Sequence, residues 1–224
     1  ILALLRSLGL GDVSQSQVFG CALRPGGEVA CWGANSRGML GNGTFDDSAT
    51  PVAVALSAAI DVSVGRDHAC AILDDGDTSD GGPVRCWGAG AFGRLGAGTS
   101  SDSNLPVPVT GITDAVQIAL YADGACARLA GGTLRCWGYG SNGTRGEGAF
   151  PPAVPAILLV PCPDAAGIHS ATDLACGTSP RCALAARGLL SSRCPRPPRR
   201  PGAAPPSRAP RPLSASPHPP HIAP

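Results

Sequence analysis

The sequence contains no lysine. All 17 of its basic residues are arginine, which reads as a gene biased towards GC-rich codons, and the gene's base composition tests that reading. No apolar run approaches the roughly 20 residues that a membrane-crossing helix needs. Ile1 to Leu10 is apolar but short and carries Arg6. That stretch has neither an initiating Met nor a basic n-region, so it is read either as the remnant of a signal peptide's apolar core or as an echo of a preceding unit in Leu8-Gly9-Leu10-Gly11. Residues 1–17 are therefore set apart as an N-terminal remnant. Acidic residues are missing from the end of the chain. Residues 195–224 hold five Arg and no acid, while residues 1–194 hold 12 Arg against all 16 acids, giving +5 and −4. The body thus lacks the basic surface of a nucleic-acid binder.

Several chemical signatures are also missing. His68, His169, His218 and His221 stand at no Cys-His spacing that fits zinc. No G-x-S-x-G elbow is present, because Ser141 has Tyr139 where the first glycine belongs. No paired-carboxylate site is legible. Gly88 to Gly93 and Gly138 to Gly143 each match G-x-G-x-x-G, but further glycines and prolines follow rather than the helix a pyrophosphate needs, and the first copy has Asn35 at the second glycine. No catalytic residue and no cofactor is expected. Asp75, Asp77 and Ser79 have the spacing of a calcium loop's first ligands. Asp80 takes the place of the turn glycine and no Glu closes the loop, so a solvated turn is the simpler reading. Asn42-Gly43-Thr44 and Asn142-Gly143-Thr144 are formal glycosylation acceptors that turn formation already explains.

What the chain does have is one phrase, repeated. Cys21-Ala22-Leu23, a Gly26-Gly27 turn and Val29-Ala30-Cys31-Trp32-Gly33 return as Cys70-Ala71-Ile72, Gly81-Gly82 and Val84-Arg85-Cys86-Trp87-Gly88. The third copy runs from Cys126 through Gly131-Gly132 to Cys136-Trp137-Gly138. The C-W-G triplets start at 31, 86 and 136, so the periods are 55 and 50 residues, the range of repeat architectures. Glycine pairs between short β-prone runs predict hairpins. Cys21 and Cys31 are equidistant from Gly26, as Cys126 and Cys136 are from Gly131. Facing residues of this kind can stand roughly 4.5 Å apart at Cα, which suits a disulfide. Cys21–Cys31, Cys70–Cys86 and Cys126–Cys136 are therefore expected as cross-strand bridges, with buried free thiols as the alternative. Cys162, Cys176, Cys182 and Cys194 leave their pairing open, with Cys162–Cys176 and Cys182–Cys194 among the options.

Each C-W-G is followed by a second motif: Ala34-Asn35-Ser36-Arg37-Gly38-Met39-Leu40-Gly41-Asn42-Gly43-Thr44 in the first copy and Ala89 to Thr99 in the second. The third copy keeps its glycines but replaces Leu-Gly with Arg145-Gly146. Pro51 to Val54, Ile60 to Val64, Pro106 to Val109 and Val116 to Ile118 then alternate as strands, and their prolines suit a sheet edge.

W-G-x-N-x-x-G-x-L-G-x-G-T, a Pro-Val run and C-A-L in register resemble the regulator-of-chromosome-condensation repeat, from about Phe19 to Leu190. The Cys before each Trp is similar to a disulfide-bearing bacterial, BNR-like variant. The resemblance implies an all-β protein built of β-propeller blades, four antiparallel strands each, in rings usually of seven. Residues 18–190 would give about three blades plus a fragment, an open arc rather than a closed ring. Trp32, Gly33, Trp87, Gly88, Trp137 and Gly138 are the structural repeat positions, with each Trp packing between blades. The fourth unit begins at Asp173, reaches Cys182-Ala183-Leu184 and Leu189-Leu190, and then gives way to Ser191-Ser192-Arg193-Cys194 and a Pro/Arg-rich tail over 191–224. That tail reads as disordered and as a frameshift product.

Ten cysteines point to an oxidising compartment, extracellular or cell-surface. The resulting functional expectation is a non-enzymatic scaffold binding an unidentified protein or other macromolecular partner through propeller loops, with no nucleic acid bound by the body and no membrane span. Missing blades or self-association should cover the arc's ends. The alternative is the namesake's activity, guanine-nucleotide exchange on a small GTPase with chromatin association.

Overall fold

The structure is a computed structural model that describes residues 13–76 and 81–139 fully and, beyond them, the backbone of the strands at 160–161, 173–176, 182–186 and 189–191. It is all-β. Three four-stranded antiparallel sheets follow one another along the chain: β1 (Val13–Gln15), β2 (Phe19–Leu23), β3 (Val29–Gly33) and β4 (Ser48–Ala53); then β5 (Ala59–Val64), β6 (His68–Leu73), β7 (Val84–Gly88) and β8 (Ser103–Pro108); then β9 (Ala115–Tyr121), β10 (Gly124–Leu129), β11 (Leu134–Gly138) and β12 (Val160–Pro161). A three-stranded sheet, β13 (Asp173–Cys176), β14 (Cys182–Ala186) and β15 (Leu189–Ser191), comes last. Among the described residues the sheets form an arc that does not close into a ring.

Each repeated phrase is a hairpin whose register places its two cysteines directly opposite. Cys21 pairs with Cys31, Cys70 with Cys86 and Cys126 with Cys136. All three pairs are disulfide-bonded, with Cα atoms 4.0 Å apart. In the last sheet the register sets Cys176 opposite Cys182. The proline-bearing runs are the fourth strands: β4 and β8 each pair on one side only, where a missing N–H costs no ladder bond. Val13–Gln15 falls within the stretch set apart on sequence as an N-terminal remnant, and it forms the first strand of the first sheet, Ser14 opposite Cys21. Its three residues are too few and too polar to announce a strand by alternation. Asp75 lies on the turn after β6, where the Gly76 N–H is bound by Asp74 Oδ1. Asp77 and Ser79 of the calcium reading lie outside the described residues, as do Asn142 to Thr144 and residues 192–224 of the tail, whereas Ser191, set in the tail on sequence, ends β15 opposite Leu184.

The first strands contact one another in series, and the same bond is made across successive seams. The Val64 N–H donates to Ser14 Oγ, Ile118 N–H to Asp61 Oδ2 and Leu120 N–H to Ser63 Oγ. The core lies in those seams. Between the first and second sheets Phe19, Val29 and Leu40 pack with Val62, Ala69 and Trp87. Between the second and third, Ile72, Leu95 and Val109 pack with Ile118, Ala125 and Trp137. Two faces that could not each be buried alone are thus buried against each other.

Candidate functional site

The glycine loop of one sheet receives the tryptophan of the next. Trp87 Nε1 donates to Met39 O at 2.9 Å, and Trp137 Nε1 donates to Arg94 O at 2.8 Å. Both acceptors immediately precede a Leu-Gly pair whose leucine, Leu40 or Leu95, is buried. The glycine that follows has φ +61 at Gly41 and +66 at Gly96. A Cβ on Gly41 would lie 2.8 Å from Trp87 Cδ1, so the indole needs the glycine to reach its carbonyl. Asn35 holds the first loop in shape: its Nδ2 donates to Thr44 O and Asp46 O, and its Oδ1 accepts from the Leu40 N–H. The glycine-rich motif is therefore a packing device, which explains why it resembles a nucleotide loop without opening a helix; in the second copy it makes a single 3-10 turn, Ala91–Gly93. Trp87 and Trp137 pack between sheets, whereas Trp32 is only partly buried, against Ala22 and Val13 of its own sheet.

Where the second and third sheets meet, the turns between first and second strands come together with that loop. Arg66 Nε binds Asp67 Oδ2 and its Nη2 binds Asp123 Oδ1, each at 3.0 Å. Arg94 occupies Met39's place in the repeat. It is 4 % exposed and holds its Nη1 3.5 Å from Asp123 and 3.7 Å from Asp67. Its Nε donates to Ala91 O. Two carboxylates from neighbouring turns are thus clamped by one buried and one half-exposed guanidinium. The hydrogen bond that Arg66 donates to Asp67 and the charge of Asp123 push the Arg66 pKa up, while burial pulls Arg94 down and Asp123 offsets part of that pull. Beneath them His68 is fully buried, and neither ring nitrogen has a partner in hydrogen-bond geometry, although the Gly124 backbone favours its charged form. Burial, then the Arg94 charge, lowers its pKa to about 3, so it is neutral at physiological pH.

Beside the clamp stands an aromatic pair. Phe92 is 44 % exposed and sits at φ +62, a conformation that is costly for a bulky side chain. Its ring centroid is 4.7 Å from that of Tyr139, and the Arg94 guanidinium lies 5.8 Å from the Phe92 centroid. Strained, exposed aromatics beside arginine have the composition of interface hot spots. Among the described residues no three His, Cys, Asp or Glu side chains gather as a metal site would need. None of the clamp or aromatic residues was singled out from sequence except His68. The missing signal was spatial: Arg66 and Asp123 are 57 positions apart in the chain.

Comparison with known proteins agrees with the geometry. The description "Regulator of chromosome condensation (RCC1) repeat" matches residues 26–72 and 82–124, and a second form of it matches 59–94. The Ultraviolet-B receptor UVR8 of Arabidopsis thaliana is 37% identical over 87 residues, 38% of this chain and 18% of that protein. The E3 ubiquitin-protein ligase HERC2 of Homo sapiens is 30% identical over 105 residues, 46% of this chain and 2% of that protein. Among solved structures, Prp20p from Saccharomyces cerevisiae superposes with a TM-score of 0.65 at 18% identity, covering 82% of this chain and 43% of that one. Human WBSCR16 gives 0.64 at 23%, covering 78% and 44%. The chain spans under half the length of these solved structures and under a fifth of these curated relatives. Repeated hairpins, a loop that seats the next tryptophan and the matched residues together show that residues 26–124 are similar to the regulator of chromosome condensation repeat, in a fold shared with its solved propellers.

Proposed function

We propose that the chain is part of a non-enzymatic propeller scaffold, exported from the cytosol, that binds a protein partner through the loops over the second and third sheets. The observation that carries this reading is the exposed Phe92, strained and in tilted ring contact with Tyr139, on the same side as the half-exposed Arg66 of the arginine clamp. The polar groups around it are engaged with one another, which suits a rigid recognition surface better than proton transfer. Three disulfides favour an oxidising setting. Proximity labelling in the source organism with the wild-type chain and with a Phe92→Ser, Arg66→Glu double variant tests the surface. A partner labelled by the wild type and lost in the variant supports it; an identical partner set from both contradicts it.

Guanine-nucleotide exchange is the second reading. Its support is the fold shared with Prp20p, whose binding properties to Gsp1p and histones are described. The net −4 of residues 1–194 does not suit chromatin. Acceleration of labelled-GDP release from a small GTPase by the purified chain would favour exchange.

A further inference from the structure

We infer that Asn42, in the glycine loop of the first sheet, is a site of N-linked glycosylation. The inference rests on the export proposed above and goes beyond it by naming the modified atom, Nδ2. Asn42-Gly43-Thr44 is the acceptor triplet, and on sequence a turn alone explains it. The second sheet removes that explanation. Its loop makes the same turn with Ala97-Gly98-Thr99, with φ +84 at Gly98 against +86 at Gly43. The turn therefore does not need the asparagine. Nor does Asn42 commit its amide nitrogen to the fold. Its Oδ1 accepts from the Thr44 N–H at 3.2 Å and from Thr44 Oγ1 at 3.0 Å, while its Nδ2 donates to no described residue. Asn35 is the contrast: it is buried, and its Nδ2 donates to Thr44 O, Thr44 Oγ1 and Asp46 O. Thr44 Oγ1 thus accepts from Asn35 and donates its own proton to Asn42. The hydroxyl that the triplet requires is already aimed at the carboxamide beside it.

The surroundings suit a sugar. Residues 43–45 are exposed, and Gly43 is pinned to the neighbouring sheet. Its N–H donates to Asn104 O at 2.9 Å, and its carbonyl accepts from Asn104 Nδ2 at 2.7 Å. Those two bonds hold the loop, and Asn42 with it, at the surface. Two large apolar side chains are exposed beside it, Phe45 at 53 % and Leu105 at 48 %. Leu105 Cδ2 lies 3.6 Å from where a Cβ on Gly43 would sit. The carbon-bearing face of a pyranose on Asn42 would cover these side chains from water. In the second sheet, where Ala97 stands in place of the asparagine, Ser100 stands in place of Phe45 as well. The donor is a polyprenyl-pyrophosphate oligosaccharide, used on the exported side of a membrane. Nδ2 attacks its anomeric carbon, the N–C bond forms as the C–O bond to pyrophosphate breaks, and Nδ2 gives up one proton to a base of the transferase. The pyrophosphate leaves on its polyprenyl chain.

The test uses the protein taken from its source and digested with trypsin. Cuts after Arg37 and Arg66 leave residues 38–66, in which Asn42 is the sole asparagine and no cysteine occurs. Mass spectrometry with electron-transfer fragmentation should place an oligosaccharide mass on Asn42. Asn42→Gln and Thr44→Ala, expressed in the same source, should each lose that mass completely, and Thr44→Ser should keep it. Enzymatic release of the glycan from the folded protein should raise the binding of a hydrophobic dye in the wild type and not in Phe45→Ser; no rise in the wild type overturns the placement of the sugar over Phe45. Residues 38–66 found without a sugar overturn the proposal, as does a sugar carried by Thr44 or Thr50 instead. The cysteines of the same digest tell the two readings apart. Bridged Cys21–Cys31, Cys70–Cys86 and Cys126–Cys136 beside an unmodified Asn42 leave export standing and the glycan refuted, whereas six free thiols beside an unmodified Asn42 refute both.

Discussion

Acidification should loosen the seam between the second and third sheets through His68. The ring is fully buried between Gly65 and Gly124, and its pKa falls to about 3 from 6.5, chiefly by burial and then by the Arg94 charge. The groups facing it are Arg66, Asp67 and Arg94, with Asp123 joined to both arginines. A depressed folded-state pKa means that the unfolded chain takes up the proton first. The stability His68 supplies as a neutral ring is complete above pH 6.5 and is lost as pH falls from there towards 3. Linkage gives a loss of about 2–3 kcal/mol between pH 7 and pH 4.5. Stopping at pH 4.5 keeps carboxylate titration small. Urea unfolding with the disulfides intact at pH 7, 5.5 and 4.5 measures it. His68→Leu should flatten the slope and change stability at pH 7 by under about 1.5 kcal/mol, since neither ring nitrogen loses a partner. A wild-type midpoint that does not move across this range, or a His68→Leu chain with the same slope, refutes the reasoning.

Gly41→Ala should cost about 2–4 kcal/mol in thermal or urea unfolding, because φ is +61 and the Cβ would strike Trp87. Gly26→Ala, at φ +95 with nothing within 4 Å, should cost only about 1 kcal/mol. Replacing Cys21 and Cys31 by serine should cost about 3 kcal/mol, and replacing Cys70 and Cys86 slightly more, because their separations are 10 and 16 residues. Phe92→Gly relieves a positive φ and should leave stability unchanged or up by about 1 kcal/mol in the same assay, while abolishing partner labelling.

What was legible in the sequence was local. Glycine pairs set the hairpin turns, and equal spacing about Gly26 and Gly131 put the cysteines opposite each other. Prolines at 51, 106 and 108 marked strands paired on one side. Leu-Gly was visible as part of the repeat, but its purpose was not: the carbonyl before it serves a tryptophan 48 positions on in the first case and 43 in the second. The clamp of Arg66, Asp67, Arg94 and Asp123 was illegible for the same reason, since each residue looks like an ordinary turn or loop residue in its own unit. His68 stood out only as a histidine without a counterpart. Nothing in Ala91-Phe92-Gly93 announced that the phenylalanine takes a positive φ as well as the glycine after it. Trp32 looked equivalent to Trp87 and Trp137 in sequence, yet it is only partly buried where they are buried.

The most direct test of the account is the oxidation state of the protein taken from its source. Rapid acid quenching, alkylation and non-reducing peptide mapping should find Cys21 joined to Cys31, Cys70 to Cys86 and Cys126 to Cys136, with none of the six alkylated. Six alkylated cysteines, or bridges such as Cys31 to Cys70 that run between repeats, would contradict an exported scaffold of hairpin-stapled blades.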